Sequence, residues 1–343
     1  MADVHIPPPP SARRRRFVRD WVYALRTTNP PPGPIDPVTR WLVLTRAAVL
    51  PMTFTSAIFA GLLAWWNADD ASVGLWAVAA IGLVLAHVAN NLMNDLFDLE
   101  VGTDDAEYPR ALYSPHPVLS GMISRRGLAA AALVVNLADF AIMIFLFTRR
   151  GWPMIAFAVT GLLLSIAYTA PPLRLKKHGL GEPTVLVVWG PLMVGGTYYA
   201  ATGSIPALVA VASLPYALLC TTVLMGKHID KIPWDAADGT HTLPVVLGAV
   251  TARRVTQGML AAFYLLVVGL VVTSTLPVLS LVCVLAAPKL VQAWSALGRP
   301  KPDSPPDDFP IWPLWFAAAA FVHTRRAGGL LIAGTLVGIL VSF

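Results

Sequence analysis

The stretch Asn90-Asn91-Leu92-Met93-Asn94-Asp95-Leu96-Phe97-Asp98 ends an apolar run that starts near residue 73, and Asp104 and Asp105 follow soon after. The run is long enough to approach the roughly 20 apolar residues that cross about 30 Å of hydrocarbon, so it reads as a membrane helix. Its polar end is costly at a bilayer boundary unless something binds the acids. On a helix, Asn91, Asp95 and Asp98 are spaced i, i+4, i+7 and share one face. Oxygen donors in that arrangement suit magnesium, which takes one or two carboxylates and completes its shell with water and substrate phosphates. Capping of a helix end would not call for so many polar groups.

The rest of the chain extends this reading. It is 343 residues long, 56% hydrophobic and 13% charged, with net charge +6 and mean hydropathy +0.64. A soluble domain is about a quarter charged. The fold class is therefore all-α, a polytopic membrane protein of about nine transmembrane helices in one domain, residues 36–343. Spans are expected near 42–66, 73–94, 127–148, 153–171, 182–201, 206–226, 254–274, 276–296 and 327–343. Residues 310–323 are short and interrupted by proline, which suggests an interfacial or re-entrant segment. Residues 1–35, with proline at 7–10 and arginine at 13–16, read as a largely disordered cytoplasmic tail, not a cleavable signal. Cys220 and Cys283 fall in apolar spans and read as small core residues. Nothing calls for a nucleic-acid partner, and oligomeric state is open.

Basic residues in short loops orient the chain with its N-terminus in the cytoplasm, Arg149 and Arg150 being the exceptions. Span parity then puts a second acidic cluster on the same face as the first. It reads Lys227-His228-Ile229-Asp230-Lys231-Ile232-Pro233-Trp234-Asp235-Ala236-Ala237-Asp238, and Pro233 argues against a regular helix through it. The basic stretch Tyr168 to Lys177, with Arg174, Lys176 and Lys177, reaches that face too. Cations beside magnesium carboxylates are what a diphosphate needs. Of the polar groups inside spans, Arg46 is near enough to the cytoplasmic end to reach a phosphate. His87 reads as a packing residue, and Lys289 has no assigned partner.

These residues resemble the UbiA superfamily of intramembrane prenyltransferases. Asn90, Asn94, Asp95 and Asp98 fit its first acidic motif, and Gly102-Thr103-Asp104 matches a variant seen in dihydroxynaphthoate (menaquinone-type) polyprenyltransferases. Tyr168 to Arg174, Leu180-Gly181-Glu182, Gly196-Thr197-Tyr198-Tyr199 and Thr242-Leu243-Pro244-Val245 are further family-like marks. Departures are the wider spacing of Asp230 and Asp235, and His116-Pro117 where Arg-Pro is usual.

The resemblance implies magnesium-dependent transfer of a prenyl group from an isoprenoid diphosphate to a lipophilic, aromatic quinone-precursor acceptor, in a bacterial inner membrane among its lipids. It implies metal on Asp95, Asp98, Asp104, Asp230 and Asp235. Asn91, Asn94, Arg46, Arg174, Lys176 and Lys227 are then candidates to bind substrate, and Tyr168, Tyr198 and Tyr199 to face the allylic cation. The alternatives are a UbiA-type terpene cyclase or a phosphoribosyl transferase on a polyprenyl phosphate and, more remotely, a cation transporter.

Overall fold

The computed structural model describes residues 10–27, 29–101, 116–307, 309 and 311–342, with side chains from residue 17 onward and excluding 98–101. Described residues are helical apart from turns and one isolated bridge, His178 to His241. In chain order the helices are α1 (Pro10–Thr27), α2 (Pro37–Leu44), α3 (Leu50–Asn67), α4 (Val73–Val101), α5 (Arg125–Arg150), α6 (Trp152–Thr169) and α7 (Gly181–Val187). There follow α8 (Gly196–Thr202), α9 (Ala207–Ala212), α10 (Leu214–Asp230), α11 (Ile232–Ala237), α12 (Leu243–Leu247), α13 (Ala249–Val272), α14 (Ala287–Leu297) and α15 (Trp315–Leu340).

By length and composition, eight helical stretches among the described residues can cross a membrane. Two are composites. Gly181–Thr202 joins α7 and α8 through a π-helical turn, Val188–Gly195, that contains Pro191. Val278–Leu297 starts as a 3-10 helix and continues as α14. A further long helix, α15, begins at Trp315 and lies outside that set of eight. It absorbs much of the segment expected to be interfacial, and it carries Arg325 and Arg326, both exposed. The chain is an integral, multi-pass membrane protein.

Two further expectations change. Residues 10–27, read as disordered tail, form α1. It packs on α2, and Trp21 Nε1 donates to Asp36 at 3.1 Å. Asp36 also caps α2, accepting from the Val38 and Thr39 amides, with Pro37 at the first helical position where a missing N–H costs nothing. The first span, expected to be unbroken over 42–66, is broken instead. Arg46 takes a left-handed backbone, φ 51°, between α2 and the turn leading to α3.

The main core lies where α10 meets α13, α15 and α3, around Phe59, Tyr216, Leu219, Leu260 and Phe263. One glycine is required there. A Cβ on Gly226 would stand 2.7 Å from the Phe316–Ala317 backbone, so α10 and the start of α15 touch main chain to main chain. By contrast α5 and α6 turn most of their surface outward: only 11% of each apolar window is buried. Their exposed faces carry Leu133, Leu137, Phe140, Leu162 and Leu163, as lipid-facing helices should.

Candidate active site

A cavity of about 360 Å³ runs between α4, α5, α6 and the α7–α8 composite. One end is lined by Asn90 and Asn94 of α4, Tyr168 of α6 and Lys227 of α10. That end gathers three of the sequence-selected residues: Asn94, Tyr168 and Lys227. The walls beyond are mainly apolar, with Leu83, Met143, Phe157, Leu192 and Met193.

Two rungs fasten the rim. Ser165 donates to Asn90 Oδ1 at 2.6 Å, and Thr169 to Asn94 Oδ1 at 2.9 Å. Each partner is four residues from the next on its own helix, so α4 and α6 are laced along one seam. Deeper in, Thr53 bonds His87 Nδ1 at 2.6 Å, and the His87 ring meets Trp189 edge-on at 5.6 Å. His87 is thus a hydrogen-bonded packing residue that also borders the cavity.

The first acidic segment is built around Asp95. It is 1% exposed, and its carboxylate pairs with the Arg46 guanidinium. The left-handed turn at Arg46 is what aims that side chain at α4. His116 Nε2 donates to the Asp95 carbonyl at 2.8 Å, so the histidine that replaces the usual arginine anchors this corner. Asn91, expected to bind substrate, is 4% exposed and donates to the Thr45 carbonyl at 3.0 Å. Its job is to hold the chain beside Arg46. The Asp98 side chain and all of Asp104 lie outside the described residues.

The second segment divides its acids. α10 ends at Asp230, and Pro233 sits in the first turn of α11, so the chain does break where proline predicted. Asp230 is 2% exposed. Its two oxygens accept from the Phe316 amide at 3.1 Å and the Ala317 amide at 2.9 Å, and Lys301 Nζ lies 3.9 Å away. This carboxylate therefore caps the N-terminus of α15, where four amides lack helical partners and negative charge is favoured. Both oxygens of the acid expected to hold metal are thus engaged by backbone amides. Lys301 is itself embraced: it donates to the Pro313 carbonyl at 2.7 Å and lies 4.7 Å from the Trp312 ring centre. Burial lowers its pKa, and Asp230 partly restores it. Asp235 is 1% exposed and pairs with Lys231 at 3.4 Å.

The basic loop reaches this second segment. The His241 amide donates to the Lys177 carbonyl at 3.1 Å, and Lys177 Nζ lies 3.2 Å from Asp238. Arg174 has φ 41°, and its Nε is buried with no hydrogen-bond acceptor. Lys176 lies in the adjoining turn, Leu175–Lys177. Tyr198 and Tyr199 are elsewhere. Tyr198 is 1% exposed in the core, and Tyr199 donates to the Arg150 carbonyl at the far end of α5. Both stand at the opposite end of the bundle from the acids, which removes them as partners for chemistry there.

A pair that was not singled out for chemistry lies behind the rim. Glu182 Oε1 is 2.6 Å from His228 Nδ1, both residues essentially fully buried, and Glu182 Oε2 has no hydrogen-bond partner. It pins α7 to the last turn of α10, next to Lys227.

A model of the UbiA prenyltransferase family matches residues 54–316. The chain belongs to the UbiA prenyltransferase family. This UbiA protein is 30% identical over 220 residues to 1,4-dihydroxy-2-naphthoate octaprenyltransferase of Haemophilus influenzae, across 62% of this chain and 70% of that one. It is 26% identical over 271 residues to 2-carboxy-1,4-naphthoquinone phytyltransferase of Synechocystis sp., across 77% and 84%. A UbiA homolog from Archaeoglobus fulgidus, solved bound to GPP and Mg2+, superimposes with a TM-score of 0.56 over 88% of this chain and 99% of that one, at 15% identity. That likeness speaks for the fold. The family match makes this UbiA protein a prenyltransferase.

Proposed function

We propose that this UbiA enzyme transfers the prenyl group of an isoprenoid diphosphate to a lipophilic aromatic acceptor of the naphthoate class, releasing diphosphate. The observation that carries the reading is the cavity, with amide and ammonium groups at one end and mainly hydrocarbon walls beyond. A diphosphate fits the first and a prenyl tail the second.

The donor set suits Mg2+. Asp95 and Asp235 offer hard carboxylate oxygens at the two acidic segments, the type magnesium takes together with phosphate and water. Among the described residues no three His, Cys, Asp or Glu side chains form a ready cage, so Asp98 and Asp104 complete the set in this reading, while Asp230 supports α15. Bound there, Mg2+ would offset the charge that grows on the leaving diphosphate.

Lys227 lines the diphosphate end of the cavity and supplies positive charge there. Arg174, with its buried, unsatisfied Nε, offers a second cation, and Lys176 a third. Asn90 and Asn94, held by Ser165 and Thr169, fix the rim geometry. Tyr168 offers an aromatic face for the allylic carbon as positive charge develops. In this reading that end faces the cytoplasm across a bacterial inner membrane, an orientation supported by the basic residues in short loops. The naphthoate class rests on the relatives' activities together with the Gly102-Thr103-Asp104 variant.

The test incubates purified protein with Mg2+, prenyl diphosphates and 1,4-dihydroxy-2-naphthoate, and identifies products by mass. The expected result is prenylated acceptor and diphosphate in equal amounts, both lost on chelation of the metal. Diphosphate release without acceptor, giving a cyclic hydrocarbon, would replace transfer by cyclisation. Magnesium flux in proteoliposomes without turnover would contradict the reading.

A further inference from the structure

One ionisable side chain on the cavity wall takes no part in the chemistry above. Asp139 lies near the middle of α5 and lines the cavity. Its Oδ1 is 3.2 Å from where a Cβ on Gly82 would stand, so the bare glycine lets the carboxyl lie against α4. Among the described residues no hydrogen bond or ion pair engages it. Asn136, one turn away, donates to the Ala132 carbonyl at 2.8 Å and to Met93 Sδ at 3.4 Å.

The helix register gives the depth. From Asn94 at the rim to Gly82 is about 18 Å along α4, at a rise of ~1.5 Å per residue. Asp139 is thus well inside the bilayer, at a level where an acidic group is rare and faces a cavity when it occurs. The cavity does not stop there: Ala79, Leu146 and Met154 continue its apolar wall outward. The carboxyl is a polar collar partway down a hydrocarbon shaft. Its hydrogen-bonding partner must come from whatever fills the cavity. A tail that ends above the collar leaves room for water beside the carboxyl. A tail that runs past strips that water and offers nothing in return.

We propose that Asp139 sets the chain-length preference of the donor, penalising prenyl tails that extend past it. The inference rests on the prenyl-diphosphate reading of the cavity. The collar disfavours long tails whether its acid is charged or neutral, since either form loses hydrogen bonds to water.

The test measures kcat/KM for geranyl, farnesyl, geranylgeranyl and solanesyl diphosphates with one acceptor, in wild type, Asp139→Leu and Asp139→Asn. Geranylgeranyl diphosphate is the first of the series whose extended tail reaches the collar. Wild type is expected to fall by about tenfold between farnesyl and the longest donor. Asp139→Leu should remove that fall while leaving geranyl turnover within about twofold, and Asp139→Asn, still polar, should keep most of it. Geranyl turnover is the internal control for folding; if the leucine variant loses it, the asparagine variant and the wild-type series still decide. Should wild type show no fall with length, or should the fall persist unchanged in Asp139→Leu, the inference is overturned. If no donor in the series is turned over by wild type, the failure belongs to the prenyl-transfer reading instead.

Discussion

Asp95 lies near the end of α4 and Asp230 ends α10, and both are almost completely buried. Asp95 sits on the helix that lines the cavity rim and pairs with Arg46. Asp230 spends both oxygens on the Phe316 and Ala317 amides and leans on Lys301. The same anomaly, a carboxylate at the edge of a greasy helix, has two different solutions. Burial cost says that an acid must be bound. It does not say whether the binder is a ligand or the end of another helix.

The comparison breaks most readily at Asp95. Asp95→Asn should lower prenyl transfer by on the order of a thousandfold, as loss of a group that stabilises transition-state charge does, in steady-state assays on protein whose circular dichroism is unchanged. Asp230→Asn should act on stability instead. It replaces one acceptor oxygen with an amide group facing backbone N–H, at a cost of about 1.5–3 kcal/mol, read as a fall in melting temperature with turnover retained below the transition. Gly226→Ala tests the same junction without touching an acid. The new methyl would press on the Phe316–Ala317 backbone, and about 1–3 kcal/mol of stability should be lost.

Asp238 gives the smallest effect. Burial raises its pKa, but the Thr240 hydroxyl and Lys177 outweigh that and hold it below the ordinary carboxylate value. A lowered folded-state pKa means the contribution is present above the unfolded value, about 3.9, and is lost as pH falls through the folded one. Lys177→Met should therefore cost less than ~1 kcal/mol at neutral pH, because the pair is partly exposed. The difference from wild type should vanish in melts at strongly acid pH.

Much of this was legible in the sequence. Apolar run length gave the spans, Pro233 gave the break before α11, and the polar residues at 90–95 announced the rim. The partners were not legible, because they are far apart in the chain. Asp230 meets amides some 86 residues away, and Glu182 finds His228 46 residues away. Hydropathy cannot see a left-handed turn inside an apolar stretch, so the break at Arg46 was missed. Proline and arginine content alone misread residues 10–27, where Trp21 gives α1 something to dock with. Tyr198 and Tyr199 were drawn toward the site by their family-like motif, although the expected span 182–201 already ends on the other side of the membrane.

The most direct test of the division between the two acidic segments is a Mg2+ titration of diphosphate release by Asp230→Asn beside wild type, below the melting temperature of both. The expected result is a half-saturating Mg2+ concentration unchanged within about twofold, because a capping acid contributes to stability and not to the metal. A rise of about tenfold or more with an unchanged melting curve would make Asp230 a metal ligand and contradict the account.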